Sequence, residues 1–171
     1  MKRLFLIPAL IALAGPAWGQ AVTAPPPAPA PAPAPILGYG PPVGLASAQA
    51  LIDRAVEAAA ARGFRLAIAV VEPSGALVAF GRMDDVQYGS IAVSQRKAAT
   101  AAHFRTATAG LEERVAGGRT VILALHEMLP VAGGVPIVVD GRVVGAIGVS
   151  GASSAQDDEI ARAALASFTG G

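Results

Sequence analysis

The sequence predicts a mixed α+β fold in which an antiparallel sheet is covered by helices. Two runs of strand-forming residues are each interrupted by a tight-turn signal, Pro73-Ser74-Gly75 in the first and Asp140-Gly141 in the second. Helical patterns precede the first hairpin, separate the two hairpins and follow the second. Because strands joined by tight turns are antiparallel, this order disfavours a doubly wound parallel sheet.

The first half of the predicted domain is a helix followed by a hairpin. The helix begins at a cap on Ser47 and runs to Ala61, since apolar residues recur at helical spacing and Gly63 follows the end. Residues 65–72 and 76–82 then form the two strands around the first turn. This half therefore supplies one layer of helix and two strands.

Three helical segments come next. Helix-forming residues dominate 90–104 and 108–116, and a weaker helical pattern covers 121–127. These segments separate the two hairpins, and we expect them to be among the helices that cover the sheet.

The second hairpin and a final helix complete the predicted domain. Strands 136–139 and 143–150 flank the Asp-Gly turn. Ser153 and Gln156 have the spacing of a capping box, which predicts that a helix starts there and extends to Phe168.

The first 19 residues have the pattern of a secretory signal peptide. Lys2 and Arg3 precede an apolar run at residues 4–13, and small residues stand at Ala17 and Gly19. The apolar run is much shorter than the roughly 20 residues needed to span a bilayer. We therefore expect cleavage after Gly19 and a secreted or periplasmic mature protein, with no stable membrane insertion.

A linker rich in proline and alanine is predicted at residues 20–43. Its segment 24–35 alternates Pro and Ala, which favours an extended polyproline II conformation and prevents a core from forming. It acts either as a stiff tether or as a solvated leader without a partner. The folded domain is then predicted at residues 44–171.

Composition excludes several classes of function. The chain of 171 residues has no cysteine, which rules out disulfides, thiolate metal sites and iron–sulfur clusters. With 13 basic and 12 acidic residues, the formal net charge is only +1. Such a balance offers no electrostatic footprint for nucleic acid or for an anionic membrane surface, so these two classes of partner are disfavoured.

One helix carries a polar stripe that suits a ligand. At helical spacing, Arg96, Thr100 and His103 lie on one side of the segment 90–104. A cation, a hydroxyl and an imidazole on one face can receive an anionic or metal-containing ligand. A solvated polar face is the alternative interpretation.

Two other motifs are less specific. Residues 148–152 resemble a nucleophile elbow, but in that architecture the histidine follows the serine, whereas His103 and His126 both precede it. Close packing and a helix cap explain this run more simply. Gly133 and Gly134 allow a backbone to approach a ligand or to turn. The two histidines show no metal-binding spacing.

Several of these segments, taken in order, resemble the GlcG/HbpS family, the haem-degrading domain family, from Leu45 to Phe168. The resemblance is carried by VVEPSGALVAF at 70–80, RMD at 82–84, KAATA at 97–101, GGVPI at 133–137, VGAIGVSG at 144–151 and QDD at 156–158. Two positions depart from the family pattern. Glu72 replaces the usual Asp, and Ala107 replaces the usual Pro before Thr108.

The resemblance implies a profilin-like domain with an antiparallel sheet of about five strands covered by helices, assembled as homo-oligomers. Members of the family bind haem, and some are reported to degrade it. The related C-terminal domain of PduO-type adenosyltransferases also binds haem. We therefore expect an exported haem-binding protein, with haem degradation or sensing left open. The alternative is a non-catalytic binding or accessory module for a corrinoid or a small organic acid.

A haem site needs an apolar slot, an axial ligand and cations for the propionates. His103 is the first candidate for the iron ligand and His126 the second metal candidate, followed by Met128 and Thr108. The remaining candidates are Arg96, Lys97 and Arg105 as partners of the propionates, together with Thr100, Gly133 and Gly134.

Overall fold

A computed structural model describes residues 37–166 and residue 168 of the chain. The helices of this part are α1 (Leu45–Ala60), α2 (Gly89–Phe104), α3 (Thr108–Ala116) and α4 (Ser154–Leu165), with a 3₁₀ helix at Thr120–Ala124. The strands are β1 (Gly38–Tyr39), β2 (Ala67–Val71), β3 (Leu77–Arg82), β4 (Gly134–Val139) and β5 (Arg142–Ser150). The predicted signal peptide and most of the predicted linker lie outside the described residues.

Strand β5 is the centre of the sheet. Both β4 and β2 pair with it in antiparallel fashion, and β3 pairs antiparallel with β2. The hairpins β2–β3 and β4–β5 are those that the two turn signals predict. The predicted mixed α+β fold, with a sheet of about five strands covered by helices, is confirmed.

The short strand β1 is the one element that the sequence did not predict, and it runs parallel to β5. It lies within residues 20–43, where the high proline content indicates a linker. The N–H groups of Gly40 and Val43 donate to the carbonyl oxygens of Val143 and Val144 at 2.9 and 2.7 Å. Val43 is also buried in the core. The ordered domain therefore includes residues before 44.

The helix ends follow the predictions with small differences. Helix α1 begins at Leu45 without a side-chain cap, so Ser47 lies inside its first turn. Helix α4 begins at the predicted capping box, in which Ser153 Oγ accepts from Gln156 N–H and the Gln156 side chain accepts from Ser153 N–H. The weak helical pattern at 121–127 forms only the 3₁₀ helix.

The two faces of the sheet are covered by different helices. Ile68 and Val70 of β2 face the core formed with α1 and α4, whereas Ala69 faces α2. Small residues allow α2 to approach the sheet closely, because a Cβ atom at Gly148 of β5 would lie 2.5 Å from Ala98 N. This close approach, which the alanine residues of α2 permit, fixes the position of the polar residues on the helix.

Candidate functional site

Helix α2 and the residue after it carry five of the predicted site residues, and the structure separates them by exposure. Arg96 and His103 are exposed, and Arg105 is half-buried. Lys97 and Thr100 are buried. The helix therefore presents only part of the predicted set to solvent.

Lys97 forms a buried ion pair with Asp157. Its Nζ lies 2.8 Å from Asp157 Oδ2 and donates a second hydrogen bond to Val149 O at 3.0 Å. The two side chains are 1% and 3% exposed. Burial raises the pKa of the Asp157 carboxyl, while hydrogen bonds from Lys97 and from the N–H groups of Ala152 and Gly151 oppose the rise. The Lys97 ammonium thus ties α2 to the β5–α4 connection and does not face the surface.

Thr108, Gly133 and Gly134 come together behind α2. Gly134 N–H donates to Thr108 Oγ1 at 2.8 Å, and Thr108 is fully buried. A Cβ atom at Gly133 would lie 2.9 Å from Lys97 Nζ, and one at Gly134 would lie 2.8 Å from Lys97 C. The paired glycines therefore allow close packing of β4 against α2.

Glu112, which the sequence reasoning missed, belongs to the same region. One carboxylate oxygen accepts from Ala132 N–H at 2.8 Å and the other from Ser154 Oγ at 2.9 Å. Because Glu112 follows Thr108 by one helical turn, α3 holds residues 132 and 134 from one face. Thr108 and Glu112 are four residues apart in the sequence, and this helical spacing predicts that both side chains lie on one face of α3. It is the signal that could have identified Glu112.

Thr100 attaches the loop between the 3₁₀ helix and β4 to the side of α2. Its Oγ1 donates to Arg96 O at 2.7 Å and accepts from Leu129 N–H at 2.9 Å. His126, three residues before Leu129, is exposed. Met128 packs into a small cluster with buried Leu111 and Ile122, which takes its thioether into the interior.

His103 lies in the last turn of α2 and contacts the β2–β3 turn. Its Nε2 is 2.6 Å from Ser74 O. Because a carbonyl oxygen only accepts, Nε2 is the donor in this contact, and Nδ1 is the ring nitrogen that it leaves unused. The imidazole occupies the space that a side chain at Gly75 would need, since a Cβ there would lie 3.0 Å from His103 Cε1. The turn glycine thereby makes room for the ring.

Arg105 ends α2 in the left-handed conformation, with φ 50°. Its guanidinium donates to Leu37 O at 2.7 Å and lies 5.1 Å from the centre of the Tyr39 ring. Tyr39 in turn donates from its hydroxyl to His103 O at 2.8 Å. The end of α2 is therefore connected to the β2–β3 turn and to the N-terminal strand.

Five exposed side chains lie on α2 and on the loop that Thr100 attaches to it, and we call this set the α2 face. It consists of Arg96, His103 and Phe104 on the helix and of Leu125 and His126 on the loop. Phe104 is 38% and Leu125 45% exposed, so apolar side chains accompany the cation and the two imidazoles.

The α2 face is open to solvent. A groove of about 490 Å³ exists elsewhere and includes none of the predicted site residues; it is lined by Pro41, Pro42, Val43, Gly44, Val139, Asp140, Arg142, Val144 and Phe168. Among the described residues, no group of three or more His, Cys, Asp or Glu side chains is placed to hold a metal ion. In the same part of the chain, no helix is long and apolar enough to cross a membrane.

Comparison with known proteins gives consistent matches. The family model described as "Haem degrading protein HbpS-like" matches residues 43–166. Protein GlcG of Escherichia coli strain K12 is 44% identical over 103 residues, which is 60% of this chain and 77% of GlcG. Both the helices and the sheet described above lie within the matched family region, apart from β1.

Two solved structures share the fold. A double mutant of HbpS from Streptomyces reticuli has a TM-score of 0.69 and 34% identity, covering 83% of this chain and 97% of HbpS. The PduOC:heme complex has a TM-score of 0.70 and 28% identity, covering 76% of this chain and 97% of PduOC. Nearly the whole of each solved chain is therefore represented here.

Proposed function

Because the chain belongs to the HbpS-like family, we propose that it is an exported haem-binding protein that holds the macrocycle on the α2 face. The observation that carries the proposal is the shared fold with the PduOC:heme complex, at a TM-score of 0.70 over 97% of that chain. Export rests on the signal peptide pattern of residues 1–19.

The residues of the α2 face fit the chemistry of haem. Phe104 and Leu125 offer exposed apolar contact, and His103 and His126 offer imidazole nitrogens. Arg96 supplies a guanidinium, which pairs well with a carboxylate. When bound, haem supplies an iron centre whose redox and ligand chemistry depends on its axial ligands.

The propionates would pair with Arg96 and Arg105. We do not assign Lys97 to this role, because its ammonium already pairs with Asp157 in the interior. Thr100 is assigned to holding the loop, since its hydroxyl is fully used by the backbone of Arg96 and Leu129. The cations assigned to the ligand are therefore exposed Arg96 and half-buried Arg105, neither of which is paired with a carboxylate among the described residues.

We assign two histidines, His103 and His126, as alternative candidates that would bind the haem iron. His103 has Nε2 committed to Ser74 O, so Nδ1 is its free nitrogen unless that hydrogen bond is given up. His126 is exposed on the loop beside α2. Thr108 and Met128 rank lower, since both side chains point into packed interiors.

The open α2 face also supports self-association. Ligand sites usually bury about 70–90% of a drug-sized ligand. A macrocycle held on the open surface of one protomer would keep one side exposed, and a second copy of the chain would cover that side. Light scattering should therefore give a mass above that of a monomer, and a monomer at micromolar concentration would contradict this part of the proposal.

Haemin titration of the purified protein tests the proposal. We expect a shifted Soret band that saturates at a fixed ratio of haemin to protein. Absence of that saturation, together with binding of a corrinoid or a small organic acid in the same assay, would favour the alternative binding module. Degradation requires a separate measurement, in which the Soret band of the bound haemin is followed with a reductant in air.

A further inference from the structure

The residues 37–43, which we call the N-terminal strap, are attached at two places of different strength. Near its C-terminal end, Val43 is buried and its N–H donates to Val144 O at 2.7 Å. Near its N-terminal end, Tyr39 is 43% exposed and contacts the end of α2. The outer attachment is therefore the one that water and ligands can reach.

The outer attachment is made by two side chains. The Tyr39 hydroxyl donates at 2.8 Å to His103 O, one of the carbonyls at the end of the helix, and lies 3.2 Å from Ala102 O, which also accepts from Arg105 N–H. The Arg105 guanidinium donates to Leu37 O at 2.7 Å and lies over the Tyr39 ring. Arg105 thus contacts the strap at two residues, Leu37 and Tyr39.

The partner that Arg105 has in the strap is a neutral carbonyl oxygen. A hydrogen bond from a guanidinium to a carboxylate is roughly twice as strong as a neutral one and can be bidentate. A carboxylate that reaches the end of α2 would therefore compete for Arg105 with Leu37 O. His103 links the two regions, because its backbone carbonyl accepts from Tyr39 of the strap while its side chain belongs to the α2 face.

We infer that a carboxylate-bearing ligand on the α2 face takes Arg105 from the N-terminal strap and loosens the strap from α2. The inference rests on the proposed function and adds regulation to it, because the chain that precedes Leu37 is attached through this strap. Coupling of this kind is reciprocal, so weakening the strap should strengthen ligand binding.

Hydrogen exchange of the peptide that contains residues 37–43 tests the inference, with mass spectrometry as the readout. Haemin should accelerate exchange at Gly40, whose N–H donates to Val143 O, and leave the buried Val43 amide slow. Haemin dimethyl ester lacks free carboxylates and should bind without loosening the strap. Equal acceleration by the ester would overturn the role of the carboxylates.

Two variants separate the contribution of Tyr39 to the strap attachment from that of Arg105. Tyr39→Phe removes the hydroxyl and should accelerate strap exchange without ligand by about 2- to 10-fold, and haemin affinity should rise by a similar factor or less. Arg105→Gln should also loosen the strap without ligand, weaken haemin binding and abolish the further effect of haemin. Arg114→Gln, at an exposed arginine of α3, is the matched control and should change none of these quantities.

The outcomes distinguish this inference from the proposed function. If haemin gives a saturating Soret shift while strap exchange stays unchanged, the coupling is wrong and the haem-binding proposal stands. If neither haemin nor its ester binds, the proposed function fails and the coupling fails with it. If Tyr39→Phe leaves strap exchange unchanged in the free protein, the attachment itself is wrong.

Discussion

Replacing Asp157 with Asn is expected to destabilise the protein strongly. In the native structure the Lys97 ammonium has two partners, Asp157 Oδ2 and Val149 O, and both charged side chains are almost fully buried. The carboxamide has no charge to offset that of the ammonium. The substitution therefore leaves a buried cation whose remaining strong contact is one neutral carbonyl oxygen.

The magnitude follows from this difference in partners. Breaking a buried ion pair by removing one charge costs about 3–5 kcal/mol. Asp157→Asn should fall in the upper part of this range. Lys97→Met should cost less, because the carboxylate keeps the N–H groups of Ala152 and Gly151. The double variant Lys97→Met/Asp157→Asn should cost less than the sum of the two single changes, since it leaves no buried charge.

The pH dependence gives a second check on the same pair. A carboxyl whose pKa is raised by folding stabilises the native state below its ordinary value of 3.8, and this contribution is lost as the pH rises through the folded value. Without Lys97 to oppose the rise, the pKa of Asp157 should be higher still. The deficit of Lys97→Met should therefore shrink as the pH falls from neutral toward 3.8.

Urea unfolding followed by far-UV circular dichroism measures these free energies. A loss of less than about 1 kcal/mol for Asp157→Asn would refute the reasoning, because an exposed pair gives values of that size. A Lys97→Met deficit that grows toward acid pH would contradict the assigned direction of the pKa.

Two further predictions concern packing and export. Gly148→Ala should lower the melting temperature, because its Cβ would lie 2.5 Å from Ala98 N of α2. Gly89→Ala, at the exposed first residue of α2 with nothing within 4 Å, is the control and should change it little. Equal melting temperatures for the two variants would contradict the close approach. Protein purified from the exported fraction should begin near Gln20 and show no tryptophan emission, since Trp18 is the single tryptophan and precedes the cut; an intact mass that retains residues 1–19 would show that no cleavage occurs.

The fold was largely predictable because its signals are local. The two turns, the capping box at Ser153 and the small residues of α2 each act within a few residues of the chain, and the structure has all of them. Strand β1 was missed because it consists of two residues in a segment rich in proline, and its pairing partner is about a hundred residues away. Pairing between strands so far apart in the chain leaves no periodic pattern in the sequence.

The candidate site was predictable only in part. Lys97 looked like a surface cation, but it lies three residues after buried Ser94 and four before buried Ala101, so helical spacing alone places it on the inner side. Its partner Asp157 is 60 residues away, and no local pattern joins the two. The contact of His103 with Ser74 O likewise depends on how the β2–β3 turn folds over the end of α2.

The central claim is that haem binds on the α2 face, and the haemin spectra of single-site variants test it most directly. His103→Ala or His126→Ala should shift the ferric Soret band, according to which imidazole holds the iron, while Arg96→Ala should weaken affinity with little spectral change, since pairing with a propionate leaves the iron ligands in place. Haemin binding with wild-type affinity and an unaltered Soret band in all three variants would contradict the account and place the ligand elsewhere on the protein.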